Sequence, residues 1–237
     1  MRTYYRFLSI ALGVVLILSA CDRNNLTPLD PQKRAFLQVV NLYPGAPSMD
    51  VFFDLYESST KITGDLEFLE SWPSVGYASL LTRAQDTLES DVLLRVVNST
   101  SQDEIIPTES LKLIPEQRTT FCIVDSFGKP ILVRTLDLLG TLSETQVRVR
   151  FMNLSAGTLS ASLVARDESI EINGLNFLNY SSFRDMQPGS YDFDIVDDFT
   201  GEVIYTLSGV NLLAGKAYSF LLVNDDTGAV GTYYLLE

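Results

Sequence analysis

The side chains available for chemistry in this 237-residue chain are mainly carboxylates and aromatic rings. The sequence has 30 acidic residues, 17 lysines and arginines, and no histidine. Without histidine, Ser-His-Asp and Cys-His nucleophile systems and histidine-containing zinc sites are excluded. Of the two cysteines, Cys122 lies in the apolar run 120–124. We expect it to be a buried, inert thiol, and we expect no intramolecular disulfide.

Two pairs of adjacent aspartates are candidates for a calcium site. Asp197-Asp198 and Asp225-Asp226 each stand shortly before Thr and Gly in a predicted turn. Calcium favours clustered carboxylate and carbonyl oxygens, but the spaced Asp-x-Asp-x-Asp-Gly run of calcium loops is missing. Turn-forming aspartate is the simpler interpretation, so we expect no resident metal or other cofactor.

A pair of carboxylates can also hydrolyse a glycosidic bond without histidine. Among 30 acids some suitable pair is expected from geometry alone, and no motif distinguishes one. A carboxylate-dependent glycan hydrolase is therefore an alternative, and the prediction is that the protein is not an enzyme.

Aromatic residues in two corresponding connecting segments are a third candidate feature. Trp72 and Tyr77 lie in the earlier segment, and Tyr180 and Phe183 in the later one. Exposed rings can stack on sugar faces or anchor a protein partner. Rings that close the edge of a sandwich would instead be buried, and this alternative is favoured.

The start of the chain has the layout of an export signal. Arg2 and Arg6 precede the apolar stretch 7–18, which is shorter than the roughly 20 residues of a spanning helix. Leu18-Ser19-Ala20-Cys21 closely resembles the lipobox of bacterial lipoproteins. That resemblance implies cleavage after residue 20 and a lipid such as palmitate on Cys21. An ordinary secretory signal or an uncleaved transmembrane helix are the alternatives.

Residues 21–33 are predicted to be a polar tether, because they contain two prolines and no apolar periodicity. Loss of residues 1–20 would remove two arginines and change the formal net charge from −13 to −15. A surface this acidic repels phosphates and anionic lipid headgroups. Nucleic acid is therefore not an expected partner. Membrane attachment then has to come from the lipid on Cys21. The expected location is the bacterial envelope. The outer membrane is favoured, although Asp22 resembles an inner-membrane retention signal. The sequence does not decide whether the domains lie on the periplasmic or the surface face of that membrane.

From residue 34 onward, short segments rich in Val, Leu, Phe and Tyr alternate with turn residues, and no long helical period occurs. This pattern predicts an all-β fold of antiparallel, immunoglobulin-like sandwiches. The predicted strands are 36–42, 49–55, 61–66, 77–81, 92–98, 111–114, 119–125, 130–136, 147–153, 159–165, 169–175, 190–196, 203–207, 217–224 and 229–235.

The chain also contains an internal repeat. Asn41-Leu42 with Gly45 matches Asn153-Leu154 with Gly157 at the same spacing. Residues 62–69 align with 172–178 after one gap; 111–113 and 121–125 align with 210–212 and 220–224. Three blocks in one order predict two tandem domains, 34–137 and 146–237, after the signal (1–20) and tether (21–33). A single larger sandwich is the alternative.

Both halves resemble a bacterial domain of unknown function, family 4397, found in secreted and lipid-anchored envelope proteins. The likeness rests on the opening pattern at 40–51 and on closing patterns at 187–193 and 213–218. It implies a sandwich fold and an envelope location, and it supplies no catalytic residues. The halves differ where Ser160-Ala161-Ser162 stands in place of Met49-Asp50-Val51.

These observations predict a lipid-anchored, non-enzymatic binding or scaffolding module whose partner is an envelope protein or a glycan. A second alternative to the hydrolase is a structural subunit that assembles through sheet edges, marked by an unpaired, uncharged edge strand. For the C-terminal run 231–236, pairing within its own domain is the simpler expectation. Asp86-Thr87-Leu88 resembles a short O-glycosylation signal, but three residues are a weak signal and an ordinary exposed turn is the favoured interpretation.

Overall fold

The computed structural model describes residues 34–55, 58–74, 77–81, 90–225 and 227–235. Throughout these ranges the chain is strand and turn without helix, which confirms the predicted all-β class. In chain order the strands are β1 (Arg34–Leu42), β2 (Met49–Leu55), β3 (Ser58–Leu66), β4 (Ser71–Trp72), β5 (Ala78–Leu81), β6 (Ser90–Asn98), β7 (Glu104–Leu113), β8 (Arg118–Asp125), β9 (Pro130–Leu136), β10 (Val147–Asn153), β11 (Ser160–Ala165), β12 (Glu171–Asn176), β13 (Asn179–Tyr180), β14 (Arg184–Met186), β15 (Gly189–Asp197), β16 (Val203–Leu212), β17 (Ala217–Asp225) and β18 (Gly228–Leu235).

The two halves of the chain build their sheets in the same strand order. In the first half, inner sheet 1 has the order β4-β1-β8-β9, with β5 also paired to β1, and outer sheet 1 has the order β3-β2-β6-β7. In the second half, inner sheet 2 is β13-β10-β17-β18, with β14 also paired to β10, and outer sheet 2 is β12-β11-β15-β16. This identity of topology is what the repeat in the sequence leads one to expect.

One strand pair in each half is parallel, whereas the sequence pattern predicted antiparallel sandwiches. β1 runs parallel to β8, and β10 runs parallel to β17. Every other strand pair in the described ranges is antiparallel. Parallel strands are usually covered on both faces and read as continuous apolar runs. The consecutive buried residues of β8 and β17 fit that rule.

Both faces of the inner sheets are buried because successive side chains of a strand point to opposite sides. One set of side chains fills the core of each sandwich, for example Leu37, Val39 and Phe121 in the first half. The other set forms a third cluster between the two inner sheets: Val40, Leu42, Cys122, Val124, Met152, Leu154, Leu221 and Val223. The sheets are therefore stacked as four layers, in the order outer 1, inner 1, inner 2, outer 2. Cys122 is fully buried as predicted, and burial raises the pKa of its thiol to about 12.

A buried asparagine at the end of the first strand of each half explains the strongest block of the repeat. The Asn41 side-chain amide donates to the Leu66 carbonyl at 3.0 Å, and its carbonyl oxygen accepts the Tyr43 N–H at 3.1 Å. Asn153 makes the corresponding bonds, donating to the Leu175 carbonyl at 3.0 Å and accepting the Ser155 N–H at 3.2 Å. Each asparagine thus ties the first strand of its half to the end of the third.

The two halves differ in sequence at Asp50, but both have a carboxylate–hydroxyl hydrogen bond there, with the acidic residue and the serine exchanged. The strand register pairs Met49 with Asn98 and Ala161 with Asp197. Asp50 is therefore equivalent to Ser162, one residue away from the alignment made on sequence.

In the first half, the Asp50 carboxylate accepts the Ser99 hydroxyl at 2.7 Å. In the second half, the Ser162 hydroxyl donates to Asp198, which occupies the position of Ser99. Burial alone would raise the pKa of Asp50, but its bonds to Lys61, Ser99 and other donors lower that pKa to about 2.

Candidate functional site

A buried ion pair joins the two halves. Arg150 points from β10 towards inner sheet 1, and its Nη1 lies 2.5 Å from Oδ1 of Asp137, which directly follows β9. The exposed fractions of the two side chains are 1% and 0%. Arg150 also donates to the Ser219 hydroxyl at 2.6 Å and to the Thr135 hydroxyl at 3.3 Å. A charge buried this deeply requires such complete pairing.

Asp137 is equally well satisfied on its own side of the interface. It accepts hydroxyl hydrogen bonds from Thr120 at 2.6 Å, Thr135 at 2.9 Å and Tyr77 at 2.8 Å. Burial and the negative charge of Asp137 raise the pKa of Tyr77 far above its usual value. The phenol therefore stays protonated and acts as a hydrogen-bond donor.

Next to this network, a cleft of about 510 Å³ opens between the two halves. One wall is formed by Leu136, at the end of β9, and by Leu138. The other wall is formed by β10 and by the segment that runs from β13 to β14. We call this the inter-half cleft. Its lining residues are Leu136, Leu138, Arg148, Arg150, Tyr180, Ser181, Ser182, Phe183 and Asp185.

The walls of the inter-half cleft are apolar and aromatic, and its rim is polar. Leu138 and Tyr180 have exposed fractions of 75% and 40%. Cζ of Arg150 lies 4.7 Å from the ring centroid of Phe183, within the range of a cation–π contact. At the rim, Nε of Arg148 donates to Oδ1 of Asp185 at 2.8 Å. The cleft thus offers ring and aliphatic surface beside groups that can both donate and accept hydrogen bonds.

Of the four aromatic residues proposed from the sequence, the structure brings Tyr180 and Phe183 together in the cleft. Tyr77 lies behind the cleft, bonded to Asp137. Trp72 packs against the core of the first half and does not line the cleft. The repeated aromatic segments therefore contribute differently in the two halves.

Sequence reasoning missed the charged members of the site. Arg148 and Arg150 alternate with Val149 and Phe151 in a strand whose other face is apolar core. That alternation indicates that one face of β10 is polar. It does not reveal that Asp137, where the two halves join, is the partner of Arg150.

Asp197 and Asp225, two of the aspartates considered for calcium, accept hydrogen bonds from the backbone of their own turns. The Asp197 carboxylate accepts backbone N–H groups of Phe199 and Thr200, and Asp225 accepts those of Thr227 and Gly228. In the first half Asn98 makes the contacts equivalent to those of Asp197, so a charge is not needed there.

Asp198 accepts hydroxyl bonds from Ser160 and Ser162, and Asp226 lies outside the described residues. In the ranges that the structure covers, acidic residues and cysteine form no group of three or more that could hold a metal ion.

The alternative of a glycan hydrolase requires two carboxylates that face each other across a cleft. Asp185 is the carboxylate among the cleft's lining residues, and it is paired with Arg148. Asp137 is enclosed behind the wall and occupied by Arg150 and three hydroxyls. This arrangement favours binding over hydrolysis.

The family model described as a domain of unknown function (DUF4397) matches residues 35–162. The chain belongs to this DUF4397 family. The match covers the first half and continues through β10 into β11. No curated protein matches the chain.

Among solved structures, the chain is similar to the Bacillus anthracis TIE protein, with 7% identity over 81% of this chain and 34% of that one and a TM-score of 0.25. It thus spans about a third of that protein. It is also similar to a candidate cell adhesion protein from Bacteroides uniformis ATCC 8492, with 8% identity, 85% and 96% coverage and a TM-score of 0.23. A candidate adhesin from Bacteroides ovatus has 12% identity, 82% and 90% coverage and a TM-score of 0.21.

The buried ion pair gives a prediction on stability. Arg150→Met and Asp137→Leu should each lower the free energy of unfolding by about 3–5 kcal/mol, because each leaves a buried charge without its partner. The double variant should lose much less than the sum of the two. Urea denaturation of the three variants measures the coupling.

Arg166→Met is the matched control, since Arg166 pairs with Asp194 on the exposed face of the second half, and its effect should be far smaller. Strictly additive losses, or losses no larger than that of the control, would contradict a structural role for the buried pair.

Proposed function

We propose that this protein is a lipid-anchored, non-enzymatic binding module that holds its ligand in the inter-half cleft. The observation that carries the proposal is the composition of the cleft: exposed Leu138, the rings of Tyr180 and Phe183, and the Arg148–Asp185 pair in one concave surface. Concave, largely apolar sites with a few convergent polar groups are typical of ligand sites.

A neutral oligosaccharide is the ligand class that this surface suits best. Sugar rings present an apolar face that stacks on aromatic rings and hydroxyl groups that bond to paired charged side chains. The Asp185 carboxylate can accept a hydrogen bond from a sugar hydroxyl group, and the Arg148 guanidinium can donate one to a hydroxyl oxygen. The net charge of −13 disfavours polyanionic ligands.

The non-enzymatic part of the proposal is supported by the pairing of the polar groups at the cleft. The serines that line it have no histidine to activate them, because the sequence contains none. Asp137 and Asp185 are both held by arginines. Two carboxylates that face each other across the cleft, which a glycan hydrolase needs, are therefore not found among the lining residues that the structure describes.

The membrane anchor is part of this proposal and is supported by the lipobox-like Leu18-Ser19-Ala20-Cys21. These residues, the tether and Thr87 lie outside the described residues. Where the structure does describe the chain, it contains no helix long and apolar enough to cross a membrane. The lipid on Cys21 would hold the binding module at the bacterial envelope, with the outer membrane favoured.

The anchor is tested by Cys21→Ser in cells supplied with a clickable palmitate analogue. The wild-type chain should incorporate the label and sediment with membranes, and the variant should do neither. Cys122→Ser is the matched control and should keep the label, since Cys122 is buried in the folded protein. Label retained by Cys21→Ser would sink the lipoprotein assignment.

The binding site is tested with a printed panel of neutral oligosaccharides, followed by titration of the best binder. Tyr180→Ala should weaken binding about tenfold or more, which corresponds to about 1.4 kcal/mol. Phe199→Ala, which removes an aromatic ring of 74% exposure away from the cleft, should leave binding unchanged. No binding to any member of the panel, or equal losses in the two variants, would refute the cleft as a glycan site.

A further inference from the structure

Gln38 is a buried polar residue in the contact between the two inner sheets. It lies in β1, has an exposed fraction of 0% and shares with Val40 the face that is turned towards inner sheet 2. Neither its Nε2 nor its Oε1 atom has a hydrogen-bond partner among the residues that the structure describes. Buried side-chain amides rarely lack such partners, because an unpaired donor or acceptor away from water is costly. The Gln38 amide therefore points to a partner that is not a protein group.

The Gln38 side chain borders a small cavity between the two inner sheets, which we call the inter-sheet cavity. The centre of a water molecule can occupy about 10 Å³ of this cavity, which is room for about one molecule. All of the lining residues are buried. They are Gln38, Val40, Thr120, Cys122, Arg150, Met152, Ser219 and Leu221.

The internal repeat explains why the two halves contribute differently to this cavity. Gln38 stands three residues before Asn41, and Arg150 stands three residues before Asn153, so Gln38 and Arg150 occupy equivalent positions. Arg150 is long enough to cross the interface and pair with Asp137. Gln38 is shorter and uncharged, and its side chain ends at the cavity.

The polar groups that line the inter-sheet cavity complement a water molecule. The Ser219 hydroxyl oxygen accepts from Nε of Arg150 at 2.6 Å and keeps its own proton for donation. The Thr120 hydroxyl donates to Asp137 at 2.6 Å and keeps a lone pair for acceptance. Together with the Gln38 amide, these groups offer both donors and acceptors, and a buried water typically makes about three hydrogen bonds. Arg150 and Asp137 neutralise each other, so the site favours a neutral ligand over an ion.

We propose that one water molecule is bound in the inter-sheet cavity and bridges the Gln38 amide to the Ser219 hydroxyl. This bridge joins β1 of the first half to β17 of the second, so it is a further polar link between the inner sheets beside the Arg150–Asp137 pair. Because the inner sheets pack face to face around it, the water exchanges with solvent slowly, when the interface opens. Arg150 lines both the cavity and the inter-half cleft, so the water lies behind the wall of the cleft.

A crystal structure of the full chain at atomic resolution tests the site directly. A single water peak should lie within hydrogen-bond distance of both the Gln38 amide and the Ser219 hydroxyl. Gln38→Met keeps the length of the side chain and removes both polar atoms, so the peak should be lost in this variant. A dry cavity in the wild-type protein, or a Gln38 amide that bonds directly to Thr120 or Ser219, would overturn the proposal.

Oxygen-17 magnetic relaxation dispersion gives a second readout in solution, because it counts internal water molecules that exchange slowly. Gln38→Met should lower this count by one relative to the wild-type protein. Gln187→Met makes the same chemical change at an exposed position and should leave the count unchanged. Circular dichroism checks that both variants keep their strand content. The same count in Gln38→Met and in the wild-type protein would show that Gln38 holds no water.

Discussion

The buried contact between Arg150 and Asp137 is the interaction on which the arrangement of this molecule depends. Moving two charges out of water costs several kcal/mol for each ion, and only near-complete pairing offsets that cost. Here Ser219, Thr135, Thr120 and Tyr77 supply the remaining hydrogen bonds. Since these groups come from both halves, the network is satisfied only when the two inner sheets meet in one register.

At this interface, apolar packing supplies buried area, whereas the ion pair fixes the register of the two inner sheets. The cluster that includes Val40, Cys122, Met152 and Leu221 supplies buried area, at about 25 cal/mol for each Å² removed from water. Apolar contact of this kind tolerates sliding, whereas a salt bridge at 2.5 Å does not. The position of the inter-half cleft follows from this fixed register, because its walls belong to different halves.

Much of the fold could be predicted because its signals are local. Alternating apolar residues and turn residues gave strands such as Met49–Leu55, Pro130–Leu136 and Val147–Asn153 with their observed ends. The two-residue strands β4 and β13 are too short to have a period. The first part of β7 was missed because an edge strand with Pro107 and exposed glutamates has no apolar alternation. The contact between the inner sheets, with Arg150 in it, could not be predicted, because a partner distant in sequence leaves no local pattern. At the cleft, the repeated aromatic residues pointed to Tyr180 and Phe183, but the partial burial of Trp72 and Tyr77 depends on tertiary packing that the sequence pattern does not show.

We infer that the inner interface makes one cooperative body of the two repeated sandwiches. The most direct test is urea unfolding followed separately in the two halves. The single tryptophan, Trp72, reports on the first half by fluorescence, and hydrogen exchange of the β10 and β17 amides reports on the second. The account predicts that both signals change at the same urea concentration. Loss of one signal while the other persists would show that the halves unfold separately, and would contradict it.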